Sequence, residues 1–398
     1  MKRVALLLVA TMLGLFVIAG VAVALPSETP DNTPGVNGPI RAIDQVGTNV
    51  WVGGNFTQVR ERNGSVVANV DKLAVFDAVT GQFRNIAPRL GGSGPVFDID
   101  VYGNNVVVAG KFTGPTSSQK NLVVLDGTTG AVVRWYNTSG LTAVLAAPQL
   151  GRIYGGGKSL SAFQFAGGGS TAIWTRATTT VDPDIRPHNT TNGYRDLELD
   201  GSTIWAACAC DAVNGSPAKA LVKLDTEGNH DASWVTEAGV GAFGISVVDG
   251  GGALYLAAGG NDFLAEYGKA EGGGRGWIRD TSGSAQVVEI MDGRLVVGGH
   301  FWEIADQGGD RCGNRSANND VTLDPFDECQ TRHGLAAYTT SGALDPDFSP
   351  MYAGRYNLVW ALRVDDLDPG KLHTGGDFTN VNGVSQVNYA RLSTPPLP

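Results

Sequence analysis

Histidine, cysteine and methionine are scarce in this chain of 398 residues, at five, four and four, and charged residues make up only 17%. These shortages exclude a good deal. Lys and Arg number 29 against 39 Asp and Glu, giving a net charge of −10, and no basic stripe appears. That excludes a nucleic-acid partner, because such binding relies on clustered cations to displace counterions. The histidines, His188, His230, His300, His333 and His373, are not spaced as metal ligands. The chain also lacks a Gly-x-Ser-x-Gly elbow, a His-Glu-x-x-His pair and a phosphate-cradling Gly-x-x-x-x-Gly-Lys-Ser/Thr loop. Beyond residue 23 no run is long and apolar enough to cross a bilayer.

Glycine is abundant instead: its 56 residues are about twice ordinary usage. They recur within a phrase made of a β-rich run, two small residues, one variable residue and usually an aromatic. It reads Val50-Trp-Val-Gly-Gly-Asn-Phe56, Val106-Val-Val-Ala-Gly-Lys-Phe112, Ile153-Tyr-Gly-Gly-Gly-Lys158, Ile204-Trp-Ala-Ala-Cys-Ala-Cys210, Leu254-Tyr-Leu-Ala-Ala-Gly259, Leu295-Val-Val-Gly-Gly-His-Phe301 and Leu372-His-Thr-Gly-Gly-Asp-Phe378. A repeat near 50 residues signals an array or ring of like units that cannot bury a core singly.

Each unit holds four strand signals, clearest at Val96 to Tyr102, Val106 to Phe112, Asn121 to Leu125 and Ala131 to Tyr136. Gly-Asn-Asn at 103–105 and Asp-Gly at 200–201 and 292–293 mark tight hairpins between the first two strands. Asp-x-x-Thr-Gly at 77–81 and 126–130 marks the turn between the last two. The pattern predicts an all-β fold, a seven-bladed β-propeller of four-stranded antiparallel blades forming one domain over residues 25–398. The last unit stops after Tyr389-Ala-Arg-Leu392 without a fourth strand, so the segment from Leu25 to Gly38 is expected to close that blade. Aromatics recur on the repeat, as Phe83, Trp135, Trp174, Trp234, Trp277 and Phe348 in strand four and Trp51, Tyr154, Trp205 and Tyr255 in strand two. Such periodicity predicts wedges between sheets.

At the start, Lys2-Arg3, an apolar run from Val4 to Val23 and Ala22-Val23-Ala24 before Leu25-Pro26 read as a secretory signal peptide cut after Ala24. An exported chain with four cysteines then suggests two disulfides. Cys312 and Cys329 bracket one polar loop, and Cys208 and Cys210 share a strand face as a strained Cys-x-Cys bridge.

The phrases Gly-Gly-Asn-Phe-Thr (53–57), Gly-Lys-Phe-Thr (110–113) and Gly-Gly-Asp-Phe-Thr-Asn-Val-Asn-Gly (375–383), followed by Leu73-Ala-Val-Phe-Asp77 or Tyr389-Ala-Arg-Leu392, resemble the delta-60 repeat proteins. The resemblance covers essentially the whole mature chain and implies a β-propeller in an exported bacterial protein. It implies no catalytic residues. Units three, four and five depart from it by losing the Phe-Thr pair.

The variable residue of each phrase should fall on one rim, giving Asn55, Lys111, Lys158, His300 and Asp377 as binding candidates, with Trp302 just beyond. An insertion from Glu303 to His333 shares that rim. It is rich in oxygen ligands, and Asp310, Asp320, Asp324 and Asp327 are candidates for calcium. Asp98 and Asp196 should face the central channel, where structural hydrogen bonding is their expected use. The expected role is a binding or scaffold module for an extracellular protein or glycan. The alternative is an extracellular hydrolase or lyase on a glycan or ester, acting through the neighbourhood of His300, Asp377 and Glu303, with His300 and Asp377 as the acid and base pair.

Overall fold

The tight turns form where the sequence supplies residues that tolerate positive φ: Gly103, Gly201 and Gly293 lie at 61°, 58° and 71°, and Asp292 at 48°. In the Asp-x-x-Thr-Gly turns, Asp77 Oδ1 accepts the Val79 and Thr80 N–H groups, while Gly81 at φ 73° donates to the Asp77 carbonyl. Asp126 and Gly130 repeat the device.

The computed structural model describes residues 25–394 apart from 168, 182–192, 237–241, 271, 307–311, 313–328 and 355–357. Antiparallel sheets succeed one another along the chain. In order from the innermost strand outward, they begin with Ile40–Val46, Asn49–Gly54, Leu73–Asp77 and Phe83–Arg84. Next come Val96–Tyr102, Asn105–Thr113, Lys120–Asp126 and Val132–Trp135, then Ala143–Ala147, Arg152–Gly156, Leu160–Gln164 and Trp174–Arg176. Gly193–Asp200, Thr203–Ala209 and Leu221–Asp225 follow, then Phe243–Asp249, Ala253–Gly259, Phe263–Gly268 and Arg275–Asp280. Ala285–Met291, Arg294–Gly299 and Leu335–Thr339 precede Leu358–Val364, Leu372–Asp377 and Tyr389–Leu392. In the sheets with three named strands, a single bridge stands in the outer place: Leu224 with His230, Tyr338 with Leu344, and Leu392 with Pro30. Trp234 and Phe348, expected from the sequence in a fourth strand, instead follow a bridge and lie outside any strand, although both are buried.

Neighbouring innermost strands contact each other in chain order, and Leu358–Val364 returns to contact Ile40–Val46. Sheets packed radially around a closed circle of inner strands make a β-propeller. The glycine pair of the repeated phrase is explained by this packing. A Cβ on Gly53 would collide with Val96 of the next sheet, and one on Gly54 would collide with the Pro39 carbonyl beside its own inner strand. Gly375 stands in the same way against Ile40, across the junction between the last sheet and the first.

In the first and third sheets the aromatic of the second strand ties its sheet to a turn of the next. Trp51 Nε1 donates to the Gly127 carbonyl at 3.1 Å, and the Tyr154 hydroxyl donates to Thr226 O at 3.0 Å. Both acceptors belong to the turn after the third strand of the following sheet. The wedge reading of the aromatics holds for these residues, since Trp51, Tyr154, Trp205 and Tyr255 are all buried.

The two ends of the described chain meet. Ser27 N donates to Ser393 O and Asp31 N to Arg391 O, so residues 27–31 run beside the outer edge of Tyr389–Leu392. Arg391 Nε and Asp31 Oδ2 form a buried ion pair at 2.6 Å, and the Ser393 hydroxyl donates to the other Asp31 oxygen. Farther on, Gly35–Val36 leaves this edge and pairs with Gln58–Arg60.

Gln58–Arg60 and Val66–Asn69 form a small hairpin between the second and third strands of their sheet. Asn380–Val381 with Val384–Ser385, and Glu303–Ala305 with Cys329–Thr331, occupy the corresponding place. Within the stretch from Glu303 to His333, the pairing of Glu303–Ala305 with Cys329–Thr331 thus repeats the recurring rim hairpin. Cys312 is bonded to Cys329, which pairs with Ala305 at the far end of the hairpin ladder, and Cys208 is bonded to Cys210. Residues 1–24 lie outside the described residues, and among those described no helix is long and apolar enough to cross a membrane.

Candidate functional site

The innermost strands open onto a central channel, and nearly all of them are irregular near the start. Their pairing slips at one residue: Arg41, Phe97, Arg195, Ile245, Gln286 and Trp360. Each is the extra residue of a β-bulge, a feature that re-aims a side chain out of the alternating pattern. Ala143–Ala147 runs without a bulge, and Thr142 lies just before it. All of these residues line one mouth of the channel, a cavity of about 210 Å³. The mouth lies where the inner strands begin and the second strands end, because Ile40 pairs with Gly54 and Val96 with Gly110. It therefore opens on the rim that carries the hairpins.

Two cations and two aromatics dominate the mouth. The Arg41 guanidinium lies 4.5 Å from the Trp360 ring centre and 5.6 Å from that of Phe97, and Lys111 Nζ is 5.9 Å from Phe97. Stacking on rings holds a guanidinium flat and leaves its edges directed at the cavity. Arg41 Nε is buried with no hydrogen-bond partner. Burial lowers the Arg41 pKa, opposed by the nearby Asp377 charge, and burial followed by the Arg41 charge lowers that of Arg195. The two guanidiniums thus feel each other's charge.

Deeper in, the channel turns acidic around a second cavity of about 390 Å³ lined by Asp44, Asp98, Asp100, Asp196, Glu198, Glu289 and Arg363. Most of the aspartates are structural acceptors. Asp98 receives the Ile99 and Val144 N–H groups, Asp100 those of Val101 and Ala146, and Asp196 those of Leu197 and Val247. Each thereby links its inner strand to the inner strand of the next sheet. This is the structural use expected of Asp98 and Asp196, and it satisfies backbone donors that channel-facing strands would otherwise leave to water. Asp44 receives Gln45 N–H at 2.8 Å and lies 3.2 Å from Arg363 Nε. Burial raises the pKa of every one of these acids. Asp98 is driven well above the ordinary carboxyl range, with the Asp196 charge adding to the effect. Glu198 is pushed up to about 8 and Glu289 to about 7.

The rim residues singled out from the sequence separate in the structure. Lys111 reaches Phe97 at the mouth, and Asp377 acts on Arg41. Asn55 and Lys158 are exposed farther out, and Trp302 is an exposed aromatic at 39%. His300 packs its ring edge-on to Trp302, with ring centres 5.7 Å apart, and its charge acts on Asp262 of the preceding sheet. Among the described residues no hydrogen bond or ion pair joins His300 to Asp377, so the supposed acid and base have different partners. Glu303 sits exposed at the base of the rim hairpin, opposite Thr331. Asp310, Asp320, Asp324 and Asp327 lie outside the described residues, and among those described no group of three or more His, Cys, Asp or Glu is disposed to hold a metal ion.

Sequence reasoning reached the channel only through Asp98 and Asp196 and missed the bulged residues beside them. A signal was present: Arg41, Phe97, Arg195, Gln286 and Trp360 each stand one or two residues past the start of an inner strand. Their exposure to the channel depends on the slip in pairing, which alternation alone does not reveal.

No family model and no curated protein matches this chain. Among solved structures, the chain is similar to the computationally designed Ika8 protein, at 11% identity and a TM-score of 0.52, over 92% of this chain and all of that one. It is also similar to BamB from Moraxella catarrhalis, at 14% identity and a TM-score of 0.46, over 86% of this chain and 80% of BamB. The first of these likenesses is one of fold.

Proposed function

We propose that this chain is an exported, seven-bladed β-propeller of the delta-60 repeat kind that serves as a binding or scaffold module outside the cell. Its contact surface is the channel mouth together with the surrounding rim hairpins. The count of blades is supported by the number of repeated phrases, each of which falls on the second strand of a sheet. Closure of the last blade by residues 27–31 is supported by their pairing with 391–393. Export is supported by the sequence of residues 1–24 and by the bonded cysteine pairs.

One observation carries the binding role: the convergence of bulged residues of unlike chemistry on a single opening. Packing alone needs no Arg, Gln and Trp at equivalent places in successive sheets. Bulges next to sites present side chains from a rigid frame, as a recognition surface requires. The partner is an extracellular protein or glycan, met first by Trp302 and the hairpins and then by the mouth.

The test is binding of the secreted protein to a panel of extracellular polysaccharides and surface proteins. Trp360→Ala is expected to weaken capture while leaving the circular dichroism spectrum unchanged. Equal capture by wild type, Trp360→Ala and Trp302→Ala would reject this face as the contact surface. Amino-terminal sequencing of the exported protein is expected to begin at Leu25.

A further inference from the structure

We propose that the channel mouth is a carboxylate site, in which Arg41 and Arg195 together hold the acid group of a small polar molecule or of a chain end. This rests on the reading of the mouth as the contact surface and names the chemistry that it accepts.

The geometry supports it in several ways. Two guanidiniums line one opening, those of Arg41 and Arg195. Like charges so placed are stabilised by an anion between them. Arg41 is fixed by Trp360 and Phe97 and keeps a buried Nε without a protein acceptor. The planar guanidinium fork suits a two-oxygen acid group. Gln286 on the same wall offers both a donor and an acceptor to polar groups next to the acid.

Size and charge narrow the class. The cavity of about 210 Å³ is smaller than the roughly 300 Å³ at which drug-sized sites begin, so it takes one small unit. Asp98 and Asp196 line the floor and Asp377 approaches Arg41 from the rim. The Asp377 carboxylate offsets part of the cationic charge, which favours a monoanion over a doubly charged phosphate.

Glucuronate and glucose make a suitable probe pair, because they differ at the acid group. Isothermal titration of the secreted protein is expected to give roughly tenfold or stronger preference for glucuronate, and Arg195→Gln should remove most of that preference. Arg41→Lys keeps the charge and loses the fork, and is expected to give an intermediate value. Inorganic sulfate at equal concentration should not displace glucuronate, and displacement would overturn the carboxylate assignment in favour of any oxyanion. Equal binding of glucose and glucuronate, both lost in Trp360→Ala, would overturn the acid preference yet leave the mouth as a contact surface. Binding of neither probe to the wild-type protein would also overturn the carboxylate site, and the polysaccharide and protein panel would then judge the contact surface separately.

Discussion

Gly375 has no side chain, and the junction between the last sheet and the first depends on that. A methyl group there would strike Ile40 and crowd Ile43 beside it. Overpacking of this sort costs about 1–3 kcal/mol. Gly375→Ala is therefore expected to lower the unfolding free energy by that amount, read as a lower denaturant midpoint with the slope unchanged, and Gly53→Ala to do the same at the next junction. The repeated glycines were plain in the sequence, but their reason was not, since Val96 and Ile40 are distant in the chain from the glycines they touch. The bulged residues show the same limit. Arg41 and Trp360 look like ordinary strand residues until pairing slips beside them, and only then do both turn to the channel.

At the scale of elements, the union of residues 27–31 with Tyr389–Leu392 bears the closure. The Arg391–Asp31 pair at its centre has both side chains about 1% exposed. Removing one partner from a buried pair leaves the other charge uncompensated, at a cost of about 3–5 kcal/mol. Asp31→Ala is expected to destabilise by that order, measured by thermal or denaturant unfolding, and an effect below about 1 kcal/mol would show that the closure does not depend on this pair. The incomplete last unit announced in the sequence that some other segment must complete it. The identity of the pairing residues was less legible, because short segments rich in Pro and Thr carry no strand signal of their own. The same applies to the rim hairpins: Glu303 to His333 read as a plain loop until Ala305 was seen opposite Cys329.

For the whole molecule, the acidic channel makes stability depend on pH. Glu198 and Glu289 have folded pKa values raised to about 8 and about 7, mainly by burial, so each favours folding most below its unfolded value near 4.5. That contribution is lost as pH rises through 7 and 8. His373, buried and hydrogen-bonded to Asp365 and Tyr389, has its pKa lowered by burial, and its contribution is lost only as pH falls below the ordinary value of 6.5. Between pH 8.5 and 6.5 the carboxylates act alone, and the melting temperature is expected to rise as pH is lowered across that interval. Glu198→Gln and Glu289→Gln should flatten the rise, and a melting temperature that increases toward pH 8.5 would contradict it. Glu198 and Glu289 were invisible as a cluster in the sequence, where 90 residues separate them; the channel brings them together.

By itself, the sequence determined the all-β architecture, the turns and the cysteine pairs, because hydrophobic alternation, positive-φ residues and short-range spacing act locally. It also placed Asp98 and Asp196 on the channel, since their alternation within an inner strand survives the bulge. The tertiary structure alone decided which residues meet at the mouth, that His300 packs against Trp302, and how the acids below acquire raised pKa values. Those outcomes depend on slips in register and on packing between distant sheets, and neither leaves a local trace in the chain.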